Sequence, residues 1–151
     1  MKTILLSHFC LLVLLVNCSD RQNASDTSVN AADTSVNEET TARVLNHHWD
    51  AFQANDLEAT MEDYTEESVL ITPDRTFKGL SEIRENFVFA FSVFPKDSSA
   101  LALSKTVVKD DVGYIIWNAK TPKLNLTFAT DTFIIQNGKI VRQTYAGVVA
   151  P

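Results

Sequence analysis

Residues 67 to 79 read ESVLITPDRTFKG, and the fold turns on them. Residues 68–72 have the pattern of a half-buried strand, Pro73-Asp74 supplies a turn, and Phe77 leads the return to Gly79. The inner end of that strand is Thr72. A carboxylate at this point would suggest a proton-transfer enzyme. A threonine hydroxyl cannot accept a proton at neutral pH, so the position argues for a fold more than for a reaction.

Upstream, TTARVLNHHWDAFQAND (40–56) places Val44, Leu45, His48, Trp49 and Phe52 on one helical stripe. Asn55-Asp56 ends that helix, and Asp56 caps a second, short one with Leu57, Met61 and Tyr64 on its apolar side. Downstream, Gly79-Leu80-Ser81 opens a third helix, with Ser81 as its expected cap and Leu80, Ile83, Phe87, Phe91 and Phe94 on one face; Pro95 ends it. From Leu101 the period becomes two. ALALSKTVVKDD, VGYIIWNAKT, LNLTFATDTFIIQ and KIVRQTYAGVV read as four successive strands, the last two joined at Asn137-Gly138 by a tight hairpin. Helices followed by a meander of long strands predict an α+β domain with its helices on one face of the sheet. Leu126, Phe128 and Ile134 are expected on one side of their strand and Phe133 and Ile135 on the other. Two apolar faces call for helices on one side and a second subunit on the other, or else for a larger core within the chain.

The first eighteen residues are a separate object. A basic start, a short apolar run from Ile4 to Val16 and then Asn17-Cys18 describe an export signal. LVNC (15–18) resembles the lipobox of bacterial lipoproteins, with Asn17 where a smaller residue is usual, and it implies lipidation at Cys18. The other reading is a plain signal peptide cut elsewhere. Residues 19–38 repeat DTSVN at 26–30 and 33–37 and offer almost nothing to bury, so they read as a flexible linker to a domain at 39–150. Acyl chains would hold that domain at the cell envelope, on the periplasmic side or the cell surface.

Cys10 and Cys18 are the only cysteines, so the domain has no disulfide, thiol nucleophile or thiolate metal site. His47-His48 lacks partners at metal-ligand spacing, and no cofactor is implied. A formal net charge of -6 with no basic stripe gives nucleic acid no electrostatic footing.

HHWDAFQANDLEATMEDYTEESVLITPDRTFKGLSEIRENF (47–87) resembles the amino-terminal half of the nuclear transport factor 2-like superfamily, nearest to its SnoaL-like and ketosteroid isomerase-like branches. The similarity rests on Asn55-Asp56-Leu57, Tyr64 with Glu66 and Glu67, Pro73-Asp74, and Gly79 through Ile83-Arg84. NGKIVRQTYAGVV (137–149) looks like the family's last strand, so the resemblance spans about residues 40 to 149. It implies three helices packed on a curved, mostly antiparallel sheet, a cone enclosing one pocket, often as a dimer. It does not imply a reaction.

Aligned on Tyr64, the isomerase pattern places His48 where that branch has an oxyanion-holding tyrosine, Thr72 at its base and Asp131 near its oxyanion acid. Steroid-type isomerisation therefore lacks its base. His48 and Asp131 remain as a candidate acid/base pair; a lone histidine on an apolar stripe is more often hydrogen-bonded core. Trp49, Tyr114, Trp117, Asn118, Phe133 and Tyr145, with Thr72, are the candidate ligand-binding residues. Glu62, Asp63, Glu66 and Glu67 read as a solvated acidic helix end. Three functions follow: a non-catalytic or accessory domain binding a small, mostly apolar molecule, a small lyase, cyclase or hydrolase using the Asp131–His48 pair, and a dimeric interaction module whose pocket is filled by its own aromatics.

Overall fold

The structure, a computed structural model, describes residues 37–151. The export signal, Cys18 and residues 19–36 of the linker lie outside the described residues. Helix α1 (Glu38–Ala54) starts two residues before Thr40 because Asn37 caps it, its side-chain oxygen accepting from the backbone N–H groups of Glu39 (2.8 Å) and Thr40 (3.3 Å). Glu38 and Glu39 in the first turn suit the positive end of the helix. The expected stripe is the buried one, and Asn55 closes the helix in the left-handed region at φ 52°. Asp56 caps α2 (Leu57–Glu62) through Ala59 N–H at 3.0 Å, as the sequence predicts.

Strands β1 (Val69–Ile71) and β2 (Thr76–Lys78) pair antiparallel around the Pro73-Asp74 turn. The chain then runs directly into α3 (Gly79–Val93), and here the expected cap is wrong. Ser81 lies inside the helix and makes no capping bond. The Glu66 carboxylate instead accepts from Leu80 N–H at 3.2 Å, and Glu82 reaches back to Lys78 N–H at 2.9 Å. Gly79 is required for this junction: at φ 75° a Cβ would lie 2.9 Å from the Glu66 carboxylate and 3.2 Å from its carbonyl oxygen. The helix stops before Pro95.

Four long strands follow: β3 (Ala100–Lys109), β4 (Val112–Lys120), β5 (Asn125–Gln136) and β6 (Lys139–Val149). The sheet order is β2-β1-β6-β5-β4-β3, antiparallel except where β1 runs parallel beside β6, and it stays open rather than closing into a barrel. Asn137 (φ 52°) and Gly138 (φ 72°) form the expected hairpin turn with two left-handed residues.

The expected division of β5 faces needs correction. A bulge between Leu126 and Phe128 inserts one residue into the alternation. Leu126 therefore turns inward with Ala129, Asp131, Phe133 and Ile135, while Phe128 faces out at 42% exposure. The inner face packs against α1 and α3 in a continuous core that residues 44–140 supply, so the described residues carry a core of their own.

Candidate functional site

Alternation on three neighbouring strands builds the site. Ile115 and Trp117 on β4, Asp131 and Phe133 on β5, and Gln143 and Tyr145 on β6 all project to the helix side. Register then sets neighbours: Asp131 pairs with Ile115 on one side and Tyr145 on the other, and Phe133 pairs with Gln143. Between this face and helices α1 and α3 lies a cavity of about 480 Å³. Trp49, Phe52, Phe87, Phe94, Trp117 and Phe133 are the buried aromatic part of its wall, and Thr72, Asp74, exposed Phe89 and Val149 also line it. Gly147 leaves room for Tyr145: a Cβ there would lie 2.5 Å from the tyrosine oxygen and 2.9 Å from Leu126.

Asp131 is the polar centre of the cavity wall, 5% exposed. Trp117 Nε1–H donates to its Oδ2 at 2.7 Å and Gln143 Nε2–H to its Oδ1 at 2.8 Å. Both donors are diagonal neighbours in the sheet. Burial pushes the Asp131 pKa above its usual value, while Gln143, Trp117 and the nearby His48 oppose that rise. Burial first, then the charges of Asp131 and Asp63, hold the Tyr64 hydroxyl well above the ordinary tyrosine value.

His48 and Asp131 both line the cavity, yet no hydrogen bond joins them directly. The Tyr64 hydroxyl donates to Gln143 Oε1, Gln143 holds Asp131, and His48 Nε2 lies 3.4 Å from the Tyr64 oxygen. The other His48 nitrogen faces Asp63 Oδ2 at 3.2 Å, and Asp63 Oδ1 meets His47 Nδ1 at 2.9 Å. A chain of side chains thus leads from Trp117 and Asp131 through Gln143, Tyr64, His48 and Asp63 to His47, whose side chain is 43% exposed. An amide sits in the middle of it, and an amide does not hand a proton on without reorienting.

Several sequence expectations change here. Asp63 is not part of a solvated helix end: it is buried and holds both histidines, with its own carbonyl accepting from Ile140 N–H at 2.8 Å. The charged run around it hid the one acid that the end of α2 turns inward. Tyr114 and Asn118 do not line the cavity, because strand alternation sends them to the opposite face from Ile115 and Trp117; Asn118 bonds Ser104 instead. Thr72 lies at the opening, with its hydroxyl held in the turn by the carbonyl of Arg75 at 3.0 Å and the N–H of Arg75 at 3.2 Å. Gln143 was missed altogether. Its signal was present: it lies two residues from Tyr145, on the same strand face.

The sequence matches no family model and no curated protein. Solved structures do match the fold. An NTF2-like protein of unknown function from Mesorhizobium loti superposes with a TM-score of 0.63 at 24% identity, covering 76% of this chain and 93% of that one. A SnoaL-like protein of unknown function from Burkholderia thailandensis gives 0.61 at 14% identity, covering 76% and 98%. An NTF-2 like protein of unknown function from Burkholderia xenovorans gives 0.61 at 18% identity, covering 76% and 89%. The fold is the cone of the NTF2-like proteins.

Proposed function

We propose that this domain binds a small, mostly apolar molecule in its cavity, with Asp131 as the polar anchor, and acts by holding that molecule rather than transforming it. The observation that carries the reading is the cavity itself: an apolar, largely aromatic space with a few convergent polar groups at one wall. Its volume exceeds the roughly 300 Å³ a ligand site needs, which speaks against a pocket filled by its own aromatics. Thr72 supplies no base, and both Asp131 oxygens already accept a fixed donor.

The lyase, cyclase or hydrolase reading draws on the link between Asp131 and His48. It is the weaker reading because the link passes through the Gln143 amide. The export signal and LVNC support a chain anchored through Cys18 at the cell envelope; no helix among the described residues is long and apolar enough to cross a membrane. Leu103, Val107, Phe128 and Val148 are exposed apolar residues, and a second copy of the chain is the proposed partner.

Native mass spectrometry of residues 37–151, purified without detergent, tests the reading. A small-molecule adduct carried through purification, or acquired from a panel of apolar compounds, is expected, with the mass of a dimer. Failure to bind any member of the panel would overturn it.

Asp131 also has a signature in stability. Because burial raises its pKa above the ordinary value of 3.8, the folded state keeps a proton at pH values where the unfolded chain has lost it. The favourable contribution is whole below that value and disappears as pH climbs through the folded one. Asp131→Asn lacks this titration, and the Gln143 amide and Tyr64 hydroxyl can reverse together to satisfy the new amide. The variant is therefore expected to gain stability relative to the wild type as pH rises from about 4 to 7, followed by urea unfolding. Parallel curves for the two proteins would refute the assignment.

A further inference from the structure

Resting on the cavity reading above, the geometry points to an organic ammonium as the ligand's polar end: an apolar amine whose cation meets Asp131. Among the described residues, the charged side chains lining the cavity are Asp131 in its wall and Asp74 at its opening, and no lysine or arginine lines it. Arg75, next to Asp74, turns elsewhere, with its guanidinium 4.6 Å from the Phe77 ring centre and 3.9 Å from Glu85. His48 on the wall has its two nitrogens taken by Asp63 at 3.2 Å and Tyr64 at 3.4 Å. Asp131 thus sits buried with two neutral N–H donors and no cation bonded to it, an arrangement that only partly offsets its charge in an apolar setting.

The surrounding surface suits the same ligand. The indole that donates to Asp131 is packed among other aromatic rings: Phe94, Trp49, Phe52 and Tyr145 lie with centroids 5.6, 5.8, 5.8 and 6.2 Å from that of Trp117. Aromatic faces attract an ammonium through their quadrupole, most strongly where water is excluded. The carboxylate supplies the direct pairing and the rings receive the substituents on nitrogen. A neutral alcohol would satisfy one lone pair and leave the charge unbalanced. An anion would face Asp131 and Asp74 with nothing opposite in sign to hold it.

Isothermal titration of residues 37–151 with three matched probes at pH 7 tests this: 4-phenylbutylamine, 4-phenylbutan-1-ol and 4-phenylbutanoate. The neutral dye N-phenyl-1-naphthylamine reports on the cavity by fluorescence. The amine is expected to bind at least about tenfold more tightly than the alcohol, with no binding of the carboxylate. Asp131→Asn should abolish the preference for the amine while dye binding persists. Asp74→Asn, away from the network, should lower amine affinity by only about two- to threefold and keep the ranking. Equal binding of amine and alcohol, or a preference for the carboxylate, would overturn the inference. If the dye binds and none of the three probes does, the ammonium fails and the cavity reading stands. If the dye does not bind either, both fail.

Discussion

Phe133→Ala is expected to lower the unfolding free energy by about 4 kcal/mol, the largest single effect in this domain. Phe133 is 1% exposed at the middle of the sheet's inner face, with its ring centre 5.3 Å from that of His48. Truncation removes the transfer free energy of a benzyl group. It also withdraws the floor on which α1 rests, and the neighbouring strand cannot move in to compensate because its register is fixed by hydrogen bonds on both sides. Since Phe133 lines the cavity, the change also enlarges the space around Asp131. Phe128→Ala on the same strand is the informative comparison. The bulge turns Phe128 to the outer face, so its loss should cost no more than about 1 kcal/mol. Urea denaturation of both variants measures the contrast, and similar losses at the two positions would mean that the phase of β5 has been misassigned.

Asp63→Ala is expected to cost about 3 kcal/mol. The Asp63 carboxylate is buried and bridges His47 and His48 at 2.9 and 3.2 Å, which ties the end of α2 to the middle of α1. Without it, the buried His48 keeps an unpaired ring nitrogen, and unpaired polar groups carry their full desolvation cost. Asp63→Asn should lose less, because its amide oxygen still accepts from one ring while the other ring shifts its tautomer. Glu62→Ala, one residue earlier and exposed, should stay within ~0.5 kcal/mol of wild type. Thermal and urea unfolding of the three variants decides the matter. An Asp63→Ala loss no greater than that of Glu62→Ala would return Asp63 to the solvated helix end that the sequence suggested.

That disagreement over Asp63 shows where sequence reasoning reached its limit. The stripe on α1, the Asp56 cap, the Asn137-Gly138 hairpin and the four long strands were all readable, because each is written in neighbours one to four residues apart. Ser81 looked like a cap on the same local grounds. It failed because Glu66, fifteen residues away in sequence, already fills that role from across the β1–β2 hairpin. Tyr114 and Asn118 have residue types that suit a pocket lining, but their parity relative to Trp117 puts them on the other face.

The sequence by itself determined the class of fold, the order of its elements, the apolar faces of its helices and the absence of cysteine from the domain. Periodicity and turn chemistry are local, and they survive without any knowledge of partners. Only the tertiary structure decided what the polar residues do. Asp131, Gln143, Tyr64, His48 and Asp63 come from α1, the two residues after α2 and two strands, up to 95 positions apart in the numbering, and nothing in their own surroundings marks them as one network. Their joining depends on strand register, on a one-residue bulge in β5 and on the depth at which α1 settles over the sheet. Each of these is fixed by packing of the whole core, so the chemistry around Asp131 exists only once the fold is complete.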